Sequence, residues 1–431
     1  MNKLLICNME KNKLRQVIID QQSLFNKKED LIDRDIDLEY YLKGNEIIVI
    51  SGIRRCGKSS LLKLISDKVE GTKVFINFDD IRLVDFNLDN FQEIQDIVFE
   101  LFGENENITY FLDEVQNIIF WEKWVNNLYS QGIKVFVTGS NSNLLSSEIS
   151  TYLTGRNKVI KLFPFSFREY LRLKEIEYFK PEYLTSSQKM KIYTSFLEYF
   201  NNGGFPLILK NDDIELSRQY FEDILNKDIL NRYKVREVKE LKDLVLFLFS
   251  NIGGIYSYST LKSVCQIKSL STIKNYIDYF ENVFLVYQVR RFDYSIKKQK
   301  VSSSKIYVGD NSFLKTVSFN FSENTGKRLE NLVYLQLKRR YDEIYYHLDK
   351  NECDFVIKEN LKITQAIQVS LKLDNPVTKQ REIVGLVEAM RRYKLNDGYI
   401  LTLENEELIE PDNKKIIIKP IWKWLLEFDN S

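Results

Sequence analysis

The chain has 431 residues, 44% hydrophobic and 29% charged, an ordinary globular composition with room for about two to four domains. A net charge of +1 excludes a global basic field for nucleic acid or membrane, and one histidine excludes a His-rich zinc site. The cysteines Cys7, Cys56, Cys265 and Cys353 lie far apart without metal-binding spacing, and no run of about 18 apolar residues offers a membrane span, so a reduced, cytoplasmic setting is expected. The short apolar stretch before Cys7 is too brief for a signal sequence.

Residues 1–40 read as one or two helices leading into the core. Strand-like runs then alternate with helical ones, at 46–51, 73–78, 108–113, 134–139 and 158–162, which predicts a parallel sheet covered by helices on both faces. The first run, Ile47-Ile48-Val49-Ile50, leads into Gly52-Ile53-Arg54-Arg55-Cys56-Gly57-Lys58-Ser59, a complete G-x-x-x-x-G-K-S phosphate loop opening a helix. Gly52 and Gly57 let the backbone N–H groups turn inward toward phosphate, and the helix N-terminus favours the anion further. Residues 52–60, ending in Ser60, therefore form the expected nucleotide-binding run. In it Lys58 neutralises phosphate charge and the Ser59 hydroxyl ligates Mg²⁺.

The third strand ends in Asp113-Glu114. An acid at that tip is placed to hold the Mg²⁺ shell, the role given to Asp113, and Glu114, pointing elsewhere, is the candidate to polarise the attacking water. The fourth strand runs through Thr138-Gly139 into Ser140-Asn141-Ser142. Asn141 or Ser140 is the candidate sensor of the γ-phosphate, although the same residues suit the cap of a helix beginning near Asn143.

Residues 166–240 carry helical periodicity, broken at Asn201-Asn202-Gly203-Gly204-Phe205-Pro206, and read as a helical lid. From 241 to 308 come a helix, a loop at Gly253-Gly254, a short helix, a longer helix opened by Ser271-Thr272, and two β-like runs, Val283–Phe292 and Val301–Val308. That order suits a winged helix-turn-helix. Arg290, Arg291, Lys297, Lys298, Lys300 and Lys305, against Asp293, give the stretch 290–305 a local positive excess suited to DNA phosphates or to a solvated hairpin.

The remainder, 309–431, reads as a further α/β domain. Glu330 on the helix Leu329–Tyr341, Asp354 at a strand start and Gln368-Val369-Ser370 on the next strand follow the layout of restriction-endonuclease-like folds. The third element there would be Glu-x-Lys, so an amide replaces a metal ligand and a hydroxyl replaces the lysine. Nuclease activity is not expected, and Lys372 sits two residues further on the same strand face. His347, Tyr345, Tyr346, Trp422, Trp424 and Phe428 read most simply as packed side chains.

Together these runs resemble prokaryotic AAA-family ATPases whose C-terminal half is the domain of unknown function forty-one forty-three. The matching runs are the phosphate loop, Phe-Leu-Asp-Glu-Val-Gln at 111–116, Thr-Gly-Ser-Asn-Ser at 138–142 and Leu-Thr-Gly-Arg at 153–156. Further matches are Leu-Phe-Pro-Phe-Ser-Phe at 162–167, Gly-Gly-Phe-Pro at 203–206, Tyr307, Asp310, Leu329-Glu330-Asn331 and Asp354-Phe355-Val356. The resemblance implies ATP as ligand and ATP hydrolysis as activity. It also implies that Arg156 reaches a phosphate, in the same chain or from a neighbouring copy, although a surface contact accounts for that residue equally well. The expected division is an AAA-type ATPase domain at 1–165, a lid at 166–240, a winged helix at 241–308 and a nuclease-like domain at 309–431. Two other functions stay open: a non-hydrolysing nucleotide-gated scaffold and an ATP-dependent nuclease. The partners left open are DNA, a protein or a further copy of the chain.

Overall fold

The apolar runs of the N-terminal part become five strands: β1 (Ile47–Ser51), β2 (Thr72–Asn77), β3 (Ile108–Asp113), β4 (Lys134–Gly139) and β5 (Asn157–Lys161). The computed structural model describes residues 10–103, 107–142, 153, 155–178, 180–317 and 325–428, in two compact units, Met1–Phe163 and Pro164–Ser431. The five strands are all parallel, in the order β2-β3-β4-β1-β5. Ile47 and Val49 enter one core with Leu14, Ile94 and Val125. Ile48 and Ile50, on the opposite face, are equally buried. Burial on both faces is why the strand reads as an unbroken apolar run and not an alternation. The chain leaves β1 for the far edge at β2, returns through β3 and β4, then crosses to β5. That reversal at β1 opens a crevice beyond its C-terminal end, the place where such sheets bind ligands.

In the second unit, helices occupy most of residues 167–233. Capping boxes start two of them, Ser166 with Glu169 and Thr185 with Gln188. The helix Ser186–Asn202 stops at Gly203, whose φ of +75° a side chain would resist, and a Cβ there would lie 1.8 Å from Asp310 Oδ1. Asp310 in turn accepts the Gly204 N–H at 2.8 Å, and Pro206 opens the next helix. The Gly-Gly break thus exists to let a distant carboxylate in. The helix Leu216–Asp223 continues through a π-helical turn, Ile224–Leu230, which no local sequence signal announced.

Three helices, Val238–Ser250, Tyr258–Val264 and Leu270–Asn282, accompany an antiparallel sheet β6 (Ile255–Tyr256), β7 (Val286–Arg290) and β8 (Ser304–Val308), ordered β6-β8-β7. The two expected β runs do pair, but they are shorter than expected. Between them Ile296–Val301 is helical, because the Ser295 side chain accepts the Lys298 N–H.

Past the helix Thr325–Arg340 lie β9 (Ile344–Leu348), β10 (Glu352–Glu359), β11 (Lys362–Val369), β12 (Asp397–Thr402), β13 (Glu407–Ile409) and β14 (Lys415–Pro420). They form one sheet in the order β13-β14-β12-β11-β10-β9. β9, β10 and β11 pair antiparallel, then β12 and β14 continue parallel after the helix Pro376–Tyr393. Trp422, Trp424 and Phe428 are buried, as is His347, whose ring nitrogens face the Tyr393 hydroxyl at 2.9 Å and Glu388 at 3.2 Å.

The boundaries expected at 240 and 308 fall inside one compact unit. At 308 the small sheet is tied directly to the helix Thr325–Arg340: the Val308 N–H donates to Asn331 Oδ1 at 2.8 Å and Asn331 Nδ2 donates back to the Val308 carbonyl at 3.2 Å. Among the described residues no helix is long and apolar enough to cross a membrane.

Candidate functional site

The C-terminal ends of β1, β3 and β4 lie side by side, with Ser51 opposite Gly139 and Leu112 opposite Val137. From the first of these ends springs the phosphate loop, and Gly57, at φ +102°, turns it into the helix Lys58–Ser66. Gly52 is held so close to its neighbour that a Cβ there would lie 2.0 Å from the Leu162 carbonyl oxygen. Ile53 and Cys56 are the buried side chains of the loop, and burial pushes the Cys56 thiol up. Arg34 donates to the Cys56 carbonyl at 3.1 Å and to the Phe163 carbonyl at 2.6 Å. It thereby ties the loop carbonyl of Cys56 to the chain just past β5. Nothing in the local sequence marked Arg34 for this.

The Lys58 ammonium is 4% exposed and donates to the Gly52 carbonyl at 3.2 Å and the Ile53 carbonyl at 3.4 Å, with Glu114 Oε1 at 3.7 Å. Ser59 Oγ donates to Asp113 Oδ2 at 2.7 Å. Thr138 Oγ1 donates to the other oxygen, Asp113 Oδ1, and also accepts the Glu114 N–H at 3.0 Å. Burial first, then the charge of Glu114, pushes the Asp113 carboxyl up, against the hydrogen bonds from Thr138 and Ser59. Glu114 sits in the left-handed region at φ 54°, an uncommon conformation for a side-chain-bearing residue, and Gln116 Nε2 donates to its carboxylate. Thr138 thus fixes both acids, a role the sequence reading did not assign. The signal available was a hydroxyl residue inside a buried strand run.

Ser140 and Asn141 are buried at the tip of β4, and the Asn141 carbonyl accepts from Ser51 Oγ at 3.2 Å. The helix expected from Asn143 lies outside the described residues. Arg54 is half-buried, whereas Arg55, at φ 71°, and Ser60 are exposed. Arg156 is elsewhere. Its carbonyl accepts the Ile47 N–H at 2.8 Å, at the N-terminal end of β1, and its guanidinium donates to Asn126 Oδ1 at 2.5 Å. The length of β1 separates it from the phosphate loop, so the fold does not bring Arg156 together with Lys58, Asp113 and Glu114 of the same chain.

In the second unit Glu330, Asp354 and Gln368 do converge, with Gln368 Oε1 accepting the Asp354 N–H at 3.0 Å. The Ser370 hydroxyl is turned back to the Lys372 carbonyl at 3.2 Å. β11 ends at Val369, so Lys372 lies past the strand and not on its face. The basic stretch 290–305 also needs correction. Lys305 is fully buried among carboxylates, and Arg291 is paired with Asp349 at 2.7 Å. The positive residues left to face a polyanion are Arg290, Lys297, Lys298 and Lys300.

A phosphate loop on β1, an acid pair on β3 and an interposed β4 define an AAA-type P-loop ATPase domain, and residues 44–171 match the family described as AAA domain. Residues 193–324 match Domain of unknown function (DUF8612), in place of the forty-one forty-three domain that the resemblance implied. The chain is 35% identical over 433 residues to the uncharacterized protein MJ1544 of Methanocaldococcus jannaschii, covering 96% of this chain and 95% of that one. It belongs to the same family. A second relative, an uncharacterized protein of Haemophilus influenzae, is 31% identical over 397 residues, covering 88% and 94%. Among solved structures, the Thermotoga maritima RuvB Holliday junction branch migration motor aligns with 65% of this chain and 89% of its own, at 12% identity and TM-score 0.29. A score that low adds nothing to the topology described above.

Proposed function

We propose that the chain is a Mg²⁺-dependent ATPase. The observation that carries this reading is the continuous set Ser59–Asp113–Thr138–Glu114 beside Lys58, at the aligned tips of three strands. Loop N–H groups and Lys58 bind the β- and γ-phosphates. Ser59 and Asp113 fit a divalent cation, since a hydroxyl oxygen and a buried carboxylate oxygen, both hard ligands, lie 2.7 Å apart beside the phosphate loop. When bound, Mg²⁺ neutralises charge developing on the phosphates. Glu114 accepts the proton of the attacking water, and Asn141 contacts the γ-phosphate. Arg156 serves only a neighbouring copy, because in its own chain it lies at the opposite end of β1. That makes turnover dependent on assembly.

Nucleotide state drives the second unit through differential contacts. The helices of 166–240 act as a lid, and the three helices with the sheet β6-β8-β7 act as a winged helix, a reading supported by their order. Lys297, Lys298 and Lys300 are its DNA-facing charges. The Lys58–Glu114 approach favours a second reading, a nucleotide-gated scaffold, because Glu114 is then engaged by Lys58 and Gln116 and not by water. Steady-state ATP hydrolysis by wild type and Glu114→Gln, with and without duplex DNA, separates the two. Turnover lost in the variant with ATP binding retained supports the ATPase, and stimulation by DNA identifies the partner. Binding without turnover in wild type under every condition selects the scaffold.

A further inference from the structure

Lys305 stands on β8 with its side chain fully buried, and its ammonium meets three carboxylates from separate places in the sequence. Glu330 Oε1 is at 3.0 Å, Asp354 Oδ1 at 2.9 Å and Glu352 Oε1 at 2.5 Å. Burial alone would strip this group of its proton, but the charges of Asp354 and Glu330 outweigh it and hold the ammonium well above the usual lysine range.

The carboxylates of Glu330 and Asp354 around it have further donors. Glu330 Oε1 also accepts from Tyr307 Oη at 2.5 Å, and Oε2 accepts from Lys327 Nζ at 2.7 Å. Asp354 Oδ2 accepts the Val369 N–H at 3.0 Å. A cavity of ≈ 940 Å³ opens beside the cluster, lined by Lys327, Glu330, Glu352, Asp354, Gln368 and Glu382 among others. Three carboxylates converging from a helix and a strand onto one point, beside this cavity, form an oxygen cage for a hard cation. The oxygens of Glu330 and Asp354 stand slightly further from the nitrogen than the roughly 2.0–2.6 Å they would keep from a metal, and Glu352 Oε1, at 2.5 Å, already lies within that range.

We propose that the Lys305 ammonium is the resident cation of a divalent-metal position formed by Glu330, Glu352 and Asp354, and that an uncharged residue at 305 turns this position into a Mn²⁺ or Mg²⁺ site. The charge balance agrees. Three carboxylates against Lys305 and Lys327 leave one negative charge, and three carboxylates against Lys327 and a divalent ion leave none. Held this way, the position has no open coordination for a phosphodiester, so the wild-type cluster joins β8 to β10 as a permanent ionic link. The inference does not rest on ATP hydrolysis.

The test is Mn²⁺ binding to the nucleotide-free full chain, read as loss of the free-ion electron paramagnetic resonance signal. Lys305→Met keeps the aliphatic stem and removes the charge. The expected result is one additional Mn²⁺ per chain in Lys305→Met, removed again by adding Asp354→Asn. A Lys305→Met protein that melts without Mn²⁺ and is restored by it also supports the proposal, and one unfolded under both conditions counts against it. A folded variant binding no more Mn²⁺ than wild type overturns the proposal. Wild type gives an independent arm, oxidative cleavage by Fe²⁺ and ascorbate. The backbone near Glu352 and Asp354 is expected to stay intact, and cuts there would show that a metal enters despite Lys305.

Discussion

Replacing Thr138 with valine tests how the two acids of the nucleotide site are held. Valine matches threonine in shape, so the change deletes one hydroxyl that is fully buried. Asp113 loses a donor and the Glu114 N–H loses its acceptor. A hydrogen bond to a charged group contributes about 1.5–3 kcal/mol, and an orphaned buried N–H costs about 1–3 kcal/mol. Because one hydroxyl serves both, the terms overlap, and a loss of about 3 kcal/mol is expected. Without that anchor the left-handed Glu114 backbone relaxes, and a displacement of about 1 Å in a catalytic group costs on the order of 10²-fold in turnover. ATP binding should stay within about threefold, since Lys58 and the loop N–H groups are untouched. The assays are urea unfolding of the full chain, turnover and nucleotide titration, with Thr138→Ser as the control that keeps the hydroxyl. Stability within about 0.5 kcal/mol of wild type, the range of an unremarkable surface change, together with unaltered turnover, would refute the reasoning.

Gly52→Ala places a methyl 2.0 Å from a backbone oxygen and 3.1 Å from Cys56 Sγ, so the loop must move. An overpacking cost of about 1–3 kcal/mol predicts roughly 10–100-fold weaker nucleotide binding, and equal affinity by fluorescent-nucleotide titration would contradict it. Burial lowers the His347 pKa, against the hydrogen bond to Glu388 and the charge of Asp349. Unfolding raises the proton affinity of this ring, so the stability it contributes is complete above about pH 6.5 and is lost as pH falls below that value. His347→Gln should flatten the decline in thermal midpoint between about pH 6.5 and 5, and an identical decline in both proteins argues against it. If the segment 296–301 contacts DNA, exchanging Lys297, Lys298 and Lys300 for glutamine should reduce the salt slope of duplex binding by about 2–3, and an unchanged slope would remove them from the interface.

The first sheet was legible because its strands are covered on both faces, so each shows as a continuous apolar run between breakers. The phosphate loop was legible for a different reason: its chemistry sits on consecutive residues. Thr138 and Arg34 act through neighbours that only the strand order and the chain's return past the loop bring near; a hydroxyl inside a buried strand run is the one local mark of Thr138, and nothing within a few residues marks Arg34. Lys305 is the sharper case. In sequence it stands among Arg290, Lys297 and Lys300 and reads as one more surface charge, yet its partners lie 25 and 49 positions away. The helical turn at Ile296–Val301 was hidden because the flanking β propensity outweighs a six-residue signal. Arg156 is a different case: the resemblance left its phosphate contact open between the same chain and a neighbouring copy, with a surface contact as the alternative, and the parallel sheet, by placing it at the far end of β1, sets aside only the same-chain form.

The Lys305 link also governs how this polypeptide can be divided. A fragment ending at 308 would keep a lysine meant for Glu330 and Asp354 and a tyrosine meant for Glu330, and the matching C-terminal fragment would keep the carboxylates alone. Breaking a buried ion pair by losing one partner costs about 3–5 kcal/mol, a large share of what holds a domain folded. The small sheet and the large one therefore belong to one folding piece: a cut between them severs the link, whereas the division between Phe163 and Pro164 leaves it whole.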